Sequence, residues 1–360
     1  MCFNNMYSLL FSLLICFLVA ETTPFSITIT IDTDQNETVK PVEKSLNDTK
    51  NSSLSACGPY EIPDFSSVAP LISEQKCMEY VYQMLKRQER DLLRCSDVSI
   101  IHGKTTKPAE YPHMGALGWL NYATGDFDFL CGASLISEKF MLTAAHCTIQ
   151  SSKRGFSKRP TIARLGTRYL EGSPMETAEN IGIWNLIAHP DFNPEHHYYD
   201  IALVELEREV IFSKYIQPAC LSTREYDISS NKRLTVTGWG QNAPKRPKNS
   251  NQLRYADINI YPENECNKFL NKYDLYMLSH QMCAGDKDGF MDTCQGDSGG
   301  PLQYELANTT LEGTIHRILS VTSFGLTACA TMNAPGIYTK VSNFIGWIEC
   351  NVWKQENRWC

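Results

Sequence analysis

Three short stretches carry residues whose chemistry interlocks: "LTAAHC" with His146, "YYDIALVEL" with Asp200, and "DTCQGDSGGPL" with Ser298. A serine hydroxyl is a poor nucleophile at neutral pH and needs a base within hydrogen-bond reach. Histidine titrates near the pH at which it can accept that proton and later return it to a leaving group. A buried carboxylate completes the set by fixing the imidazole tautomer and stabilising its charged form. In "GDSGG" the backbone N–H groups of Gly296 and Ser298 are the candidates for holding the negative oxygen of a tetrahedral intermediate. Only tight, uncluttered backbone can aim two N–H groups at one point, which is what the glycines provide.

Together, "TAAHC", "DIALVEL" and "GDSGGP", with "VTGWG" and "NAPGIYTKV" between and after them, resemble a chymotrypsin-fold (trypsin-like) serine protease from Ile100 to about Cys350. The resemblance implies an all-β fold of two six-stranded antiparallel β-barrels with a C-terminal helix. The site would lie in the crevice between them, His146 and Asp200 on the first barrel and Ser298 on the second. It also implies disulfides Cys131–Cys147, Cys266–Cys283 and Cys294–Cys329. By family position Asp292 stands at the floor of the specificity pocket, where a carboxylate demands a cationic partner. Gly325 in "TSFG" and Gly336 in "APGIY" match the pocket walls, and their missing side chains leave room for a long cation. The implied activity is cleavage of protein substrates after Arg or Lys, with no cofactor and no metal. The family's calcium loop would fall around Thr167 to Glu179. Thr167 stands where its leading Glu is usual, so calcium is not expected despite Glu171, Glu176 and Glu179.

The stretch "RCSDVSIIHGKTTK" reads as an activation switch. "IIHG" occupies the position of the family's Ile-Val-Gly-Gly, so the expected cut lies between Ser99 and Ile100. The freed ammonium of Ile100 would then turn inward and pair with Asp297, just before the nucleophile. Two residues depart from the family: Ser99 replaces the usual Arg or Lys, and His102 replaces a glycine. Ser99 points to an activating protease that prefers small or apolar residues or to a bait open to several proteases, with loss of activation as the competing interpretation. "ISEQKCMEYVYQ" and "CSDVSIIHG" resemble the segment ahead of the protease domain in arthropod clip-domain proteases of the snake type, which act in extracellular cascades of immunity or embryonic patterning. A clip domain needs six clustered cysteines, and the mature leader holds only Cys57, Cys77 and Cys95, so none is recognisable. One leader cysteine is expected to pair with Cys220 in "IQPACL": Cys95 first, Cys77 as the alternative. With Cys95 so used, Cys57, Cys77, Cys350 and Cys360 allow three pairings. A serpin-type inhibitor is a further expected partner. The competing reading is a non-catalytic protease homologue acting as a cascade cofactor or adaptor, although such proteins usually lose a triad residue.

The elements that must position these residues are mostly strands. From Ile100 onward, runs such as "FMLTAAHC", "TIARLG", "DIALVEL", "RLTVTGWG" and "GIYTKV" alternate with Gly, Pro, Asn and Asp turns, the texture of barrels or sandwiches. Helices are expected at 264–273 and around 341–350. In the leader, Cys77, Tyr80, Val81, Met84 and Leu85 recur at helical spacing, predicting a helix at about 74–90 that packs its apolar face on the following domain. The rest of the pro-segment reads as largely irregular.

The bulk composition sets the compartment. Tyr7 to Val19 is an apolar block too short for a comfortable bilayer crossing and ends at the small Ala20, so residues 1–20 read as a signal peptide. A retained anchor is the alternative, giving a surface-bound protease. Of the 14 cysteines, Cys2 and Cys16 leave with the signal, and the 12 that remain are an even number suited to an oxidising, extracellular setting. Residues 21–99 form a linker and pro-segment with glycosylation acceptors at Asn36, Asn47 and Asn51; a further acceptor is Asn308, and 100–360 is the protease domain. A net charge of −7 gives no reason to expect nucleic acid, and no later stretch is long and apolar enough to span a membrane. The basic loops 152–160 and 243–250 read as solvated.

Overall fold

The computed structural model describes residues 57–93, 95, 110–149, 155–172, 178–224, 232–241, 249–286, 296–325, 335–357 and 360. The signal segment 1–20, Asn36, Asn47, Asn51, the Ser99–Ile100 junction, His102, Glu176, Asp292 and the Cys294–Cys329 pair lie outside the described residues. All described residues fall within one unit, Cys57–Cys360.

The first six strands are β1 (Met114–Leu120), β2 (Phe127–Leu135), β3 (Phe140–Thr143), β4 (Ile162–Leu165), β5 (Glu179–Ala188) and β6 (Ala202–Leu206). They close into an antiparallel barrel in the order β1-β2-β3-β6-β5-β4, which leaves no open sheet edge. In β4 burial alternates residue by residue, as a strand with one face in a core requires. Leu117, Leu135, Met141, Leu165, Ile181 and Leu203 fill the interior.

The second half carries β7 (Cys220–Leu221), β8 (Thr235–Gly238), β9 (Arg254–Asp257), β10 (Asn259–Ile260), β11 (Gln281–Gly285), β12 (Pro301–Thr309), β13 (Gly313–Gly325) and β14 (Gly336–Lys340). The bonded order is β10-β11-β14-β13-β12-β8-β9, with β7 added parallel to β13. The two ends of this sheet, β9 and β10, are separated in the chain only by the buried Ile258, whose N–H donates to Leu234 O. One bent stretch therefore pairs β8 with its first part and β11 with its last. This bend brings the sheet back upon itself, and six antiparallel strands remain once β9 and β10 are taken as one and β7 is set aside. The architecture is the expected pair of barrels, one closed and one barrel-like.

Among the described residues three helices accompany the strands: α1 (Ile72–Leu92), α2 (Glu263–Leu270) and α3 (Ile345–Val352). The last follows a 3₁₀ turn, Val341–Phe344. Val341, Phe344, Ile345, Ile348 and Trp353 join the same apolar cluster as the first barrel's core. The last helix thus packs back on the first barrel and, through Ile318 and Val321 in the same cluster, clamps the halves together.

The leader helix α1 runs two residues further at each end than its apolar pattern predicts, and its pattern is explained by what covers it. Cys77, Tyr80, Val81 and Met84 are buried with Cys220 and Ile315. Tyr80 meets Phe212 edge-on at 5.5 Å and donates to Ile136 O at 3.2 Å. The first turn of a helix leaves N–H groups without intrahelical acceptors. Glu349 of α3 supplies one from across the molecule: its Oε1 accepts from Ser73 N–H at 2.8 Å and Ser73 Oγ at 2.7 Å. A carboxylate there also suits the positive end of the helix dipole. At the other end Arg87 donates to Glu312 and Gln217, each at 2.6 Å.

The disulfides correct one expectation. Cys77, not Cys95, bonds Cys220, and Cys95 pairs with Cys57. Cys77 lies on the buried face of α1 directly over β7, with a Cα–Cα distance of 5.0 Å, whereas Cys95 falls beyond the helix end. Disulfides also join Cys131–Cys147, Cys266–Cys283 and Cys350–Cys360. Among the described residues no helix is long and apolar enough to cross a membrane.

A buried histidine pair ties the entry of β1 to the second half. His113 and His316 lie 5.1 Å apart, and His316 stacks on Tyr111 at 4.9 Å. Burial lowers His113 to about 4; burial and the neighbouring His113 put His316 well below its ordinary value. Both are neutral in the fold. Unfolded imidazoles take up protons near pH 6.5, which the folded ones refuse. Their contribution is therefore complete above pH 6.5 and lost as pH falls toward 4. Circular-dichroism melts should show the midpoint dropping across that window, and a His113→Phe/His316→Phe variant should show a shallower drop. An equally steep drop in the variant would assign the acid sensitivity to other groups.

Candidate active site

The His146 side chain is set by a 3₁₀ turn, Ala145–Thr148, that follows β3 directly. The Cys131–Cys147 disulfide pins that turn to β2. Asp200 stands just before β6 and is reached through a cramped approach, with His197 at φ 54° and Tyr199 at φ 56°. Non-glycine residues seldom adopt this left-handed conformation, so the surroundings must enforce it. Tyr199 is held between two imidazoles, His189 at 5.4 Å and His280 at 4.2 Å, and its N–H donates to His280 Nε2 at 3.2 Å. Burial lowers His280 to about 4, which keeps that nitrogen free to accept.

Asp200 is completely buried, whereas the His146 side chain is 20% exposed. The carboxylate accepts from the backbone N–H of His146 at 2.9 Å and faces His146 Nδ1 at 2.8 Å. It also accepts from the hydroxyl of Ser323, which comes from β13 in the other barrel. An acceptor-only carboxylate dictates that Nδ1 carries the ring proton, so Nε2 presents its lone pair outward. Burial alone would raise the Asp200 pKa. The His146 charge and hydrogen bond, with contributions from His197 and Ser323, outweigh it and hold the group well below the usual carboxylate range.

The "GDSGG" turn is wedged between the two barrels. Gly132 N–H of β2 donates to Ser298 O at 2.8 Å, and Gly299 N–H donates to Thr322 O of β13 at 2.9 Å. Gly296 has φ +102° and Gly299 φ +78°, and a Cβ on Gly299 would collide with Thr143 and with the backbone of Gly132. Glycine is required there for two independent reasons. Asp297 points at another glycine-lined stretch: its Oδ1 accepts from Gly240 N–H at 2.7 Å, and side chains on Gly238 or Gly240 would overlap its carboxylate. Ser298 and His146 are thus brought to neighbouring segments. Nε2 faces Cys147 Sγ at 3.7 Å, and among the described residues no hydrogen bond joins it to Ser298.

Gly325 and Gly336 are direct partners across the β13–β14 ladder, and a Cβ on Gly325 would meet open space. Glu179, in the stretch considered for calcium, pairs with Arg208 at 2.6 Å. Asn308 is exposed on β12. Ser323 was not singled out from the sequence, although it lies two residues before Gly325 in the same "TSFG" motif. His197 and His280 likewise gave no sequence signal, because their roles arise from a left-handed turn and a long-range contact.

A family model described as Trypsin matches residues 100–348. The chain belongs to the trypsin family. This trypsin-like serine protease chain is 35% identical over 309 residues to "Serine protease snk" of Drosophila melanogaster, covering 82% of this chain and 68% of that protein. It is 36% identical over 264 residues to "Serine protease Hayan" of the same organism, where the match spans 71% of this chain but only 39% of the relative. It is 34% identical over 267 residues to "Phenoloxidase-activating factor 1" of Holotrichia diomphalia, covering 70% of each.

Within the trypsin-like framework, Ser323 is the strand-borne donor that satisfies the buried Asp200. Ser323→Ala removes a hydrogen bond to a charged group, an interaction of about 1.5–3 kcal/mol. Its denaturant midpoint should fall accordingly. A midpoint equal to that of the parent chain would show that the carboxylate is satisfied without it.

Proposed function

We propose that the chain is a secreted zymogen of a trypsin-like endopeptidase that cleaves proteins after Arg or Lys. The observation that carries this reading is the fully buried Asp200 carboxylate bonded to His146 Nδ1, beside an intact "GDSGG" turn. Ser298 is the nucleophile and His146 its base. Nε2 takes the hydroxyl proton as Oγ attacks the scissile carbonyl, and Asp200 stabilises the imidazolium that results. The N–H groups of Gly296 and Ser298 hold the oxyanion. His146 then protonates the leaving amine, and water repeats the sequence on the acyl-enzyme. Asp292 would pair with the substrate cation, reached between Gly325 and Gly336.

Activation follows cleavage between Ser99 and Ile100, when the new ammonium pairs with Asp297. That pairing would seat Ser298 against Nε2, the contact that the chain lacks among its described residues. We assign residues 1–20 to a signal peptide, 21–99 to a glycosylated pro-segment and 100–360 to the protease domain. Five disulfides among the described residues support an oxidising destination outside the cell. The name of one relative, "Phenoloxidase-activating factor 1", supports a place in an activation cascade; in that reading the chain has an upstream activating protease and a serpin-type inhibitor as partners. A non-catalytic homologue is the second reading, favoured by the missing Ser298–His146 bond and by Ser99 and His102 in the activation segment.

The test begins with Ser99→Arg, so that trypsin can release Ile100, followed by hydrolysis of Arg, Lys and Phe amide substrates. Turnover of the Arg and Lys substrates is expected. Ser298→Ala should abolish it, by about 10⁶-fold, and Asp200→Asn should lower it by about 10⁴-fold. Asp292→Ser should remove the preference for cations. No turnover after N-terminal sequencing has verified the cut would establish the non-catalytic reading. The same cleaved sample should run as one species on a non-reducing gel and as two after reduction, because Cys77–Cys220 lies across the cut. Separation without reductant would contradict the observed pairing.

A further inference from the structure

His197 takes no part in the proposed chemistry, yet it stands against the residues that do. One ligating atom from each of His146, His197 and Asp200 lies within 4.8 Å of the other two. His197 Nδ1 is 3.6 Å from Asp200 Oδ2, and His146 Nδ1 is 2.8 Å from the same oxygen. The His197 Nδ1 atom is buried and has no hydrogen-bond partner. The left-handed backbone turns its ring inward, where it meets His146 edge-on at 5.4 Å and lies against Phe324 at 5.0 Å. One third of the side chain remains exposed, which gives access from solvent.

We infer that His146, His197 and Asp200 form an inhibitory site for a divalent transition cation of the zinc class. Two imidazoles and one carboxylate are the donor set of zinc, whereas calcium and magnesium require oxygen ligands almost throughout. With metal–ligand bonds of about 2.0 Å, neighbouring ligand atoms on a tetrahedral ion sit about 3.3 Å apart. The observed 2.8 and 3.6 Å bracket that separation, so the site forms with small side-chain shifts. The carboxylate supplies the negative charge.

Occupancy changes the chemistry of His146 without net loss or gain of a proton. The metal takes the Nδ1 lone pair, replacing the hydrogen bond to Asp200, and the ring proton moves to Nε2. That nitrogen becomes a donor and can no longer accept a proton from Ser298. The inhibitory consequence rests on the proposed role of His146 as base; the binding site itself does not.

The experiment therefore has two arms. Zinc chloride is titrated calorimetrically into the full-length Ser298→Ala chain, with and without His197→Asn; Asn tolerates the left-handed backbone. One site is expected, weakened at least about tenfold by H197N, with no heat from magnesium or calcium chloride. In the activated enzyme, zinc should inhibit reversibly, with activity restored by EDTA. The half-inhibitory concentration should rise at least tenfold in H197N when each variant is normalised to its own zinc-free rate. Equal zinc affinity in both chains, or no binding in either, overturns the site. Binding by calorimetry in a chain that never hydrolyses substrate would uphold the site and refute the catalytic role of His146.

Discussion

The structure turns on a carboxylate that has no access to water. An ionised group in that position costs several kcal/mol unless its oxygens are met by donors. Asp200 is met by three: the backbone N–H and the imidazole of His146 from its own barrel, and the Ser323 hydroxyl from the other. Two of these reach it only when the turn after β3 and the approach to β6 are both formed, and the third only when the barrels are apposed. This buried charge is therefore satisfied by the assembly of the whole. The same apposition delivers the Ser298 turn, whose glycines allow the backbones of both barrels to close upon it.

The leader helix belongs to this assembly. Its apolar face is buried against the second half, its first turn is capped by Glu349 of the terminal helix, and its cysteine is bonded to β7. Terminal helix α3 in turn shares the first barrel's core. The leader helix and the last helix thus brace each other, and the last helix rests on the same barrel that carries His146 and Asp200.

How much was legible depended on the range of each interaction. The leader helix could be read because its apolar residues recur every three or four positions, a pattern confined to a few turns. The alternating strands were legible for the same reason, but their boundaries were not: β9 and β10 are split by a bend at Ile258 that only pairing with two different neighbours explains. The misassigned partner of Cys220 shows the limit most clearly. Cys77 and Cys95 are both cysteines of the leader; Cys77 falls on the apolar helix face, but no local pattern says which strand that face meets. The choice was made by which one the helix turns toward β7.

The sequence by itself determined the residue types that can run acyl transfer, their order, and the family frame in which they sit. These follow from short, specific motifs whose chemistry depends on side-chain identity. Only the tertiary structure decided the surroundings that give those side chains their properties. Ser323, His197 and His280 converge on Asp200 and its approach from positions 3 to 123 residues away. No local pattern encodes such contacts, because burial and hydrogen-bond geometry are properties of the closed barrels rather than of any one strand. Identity is written along the chain; the protonation state, the orientation and the neighbours of each reactive group are fixed only when distant segments meet.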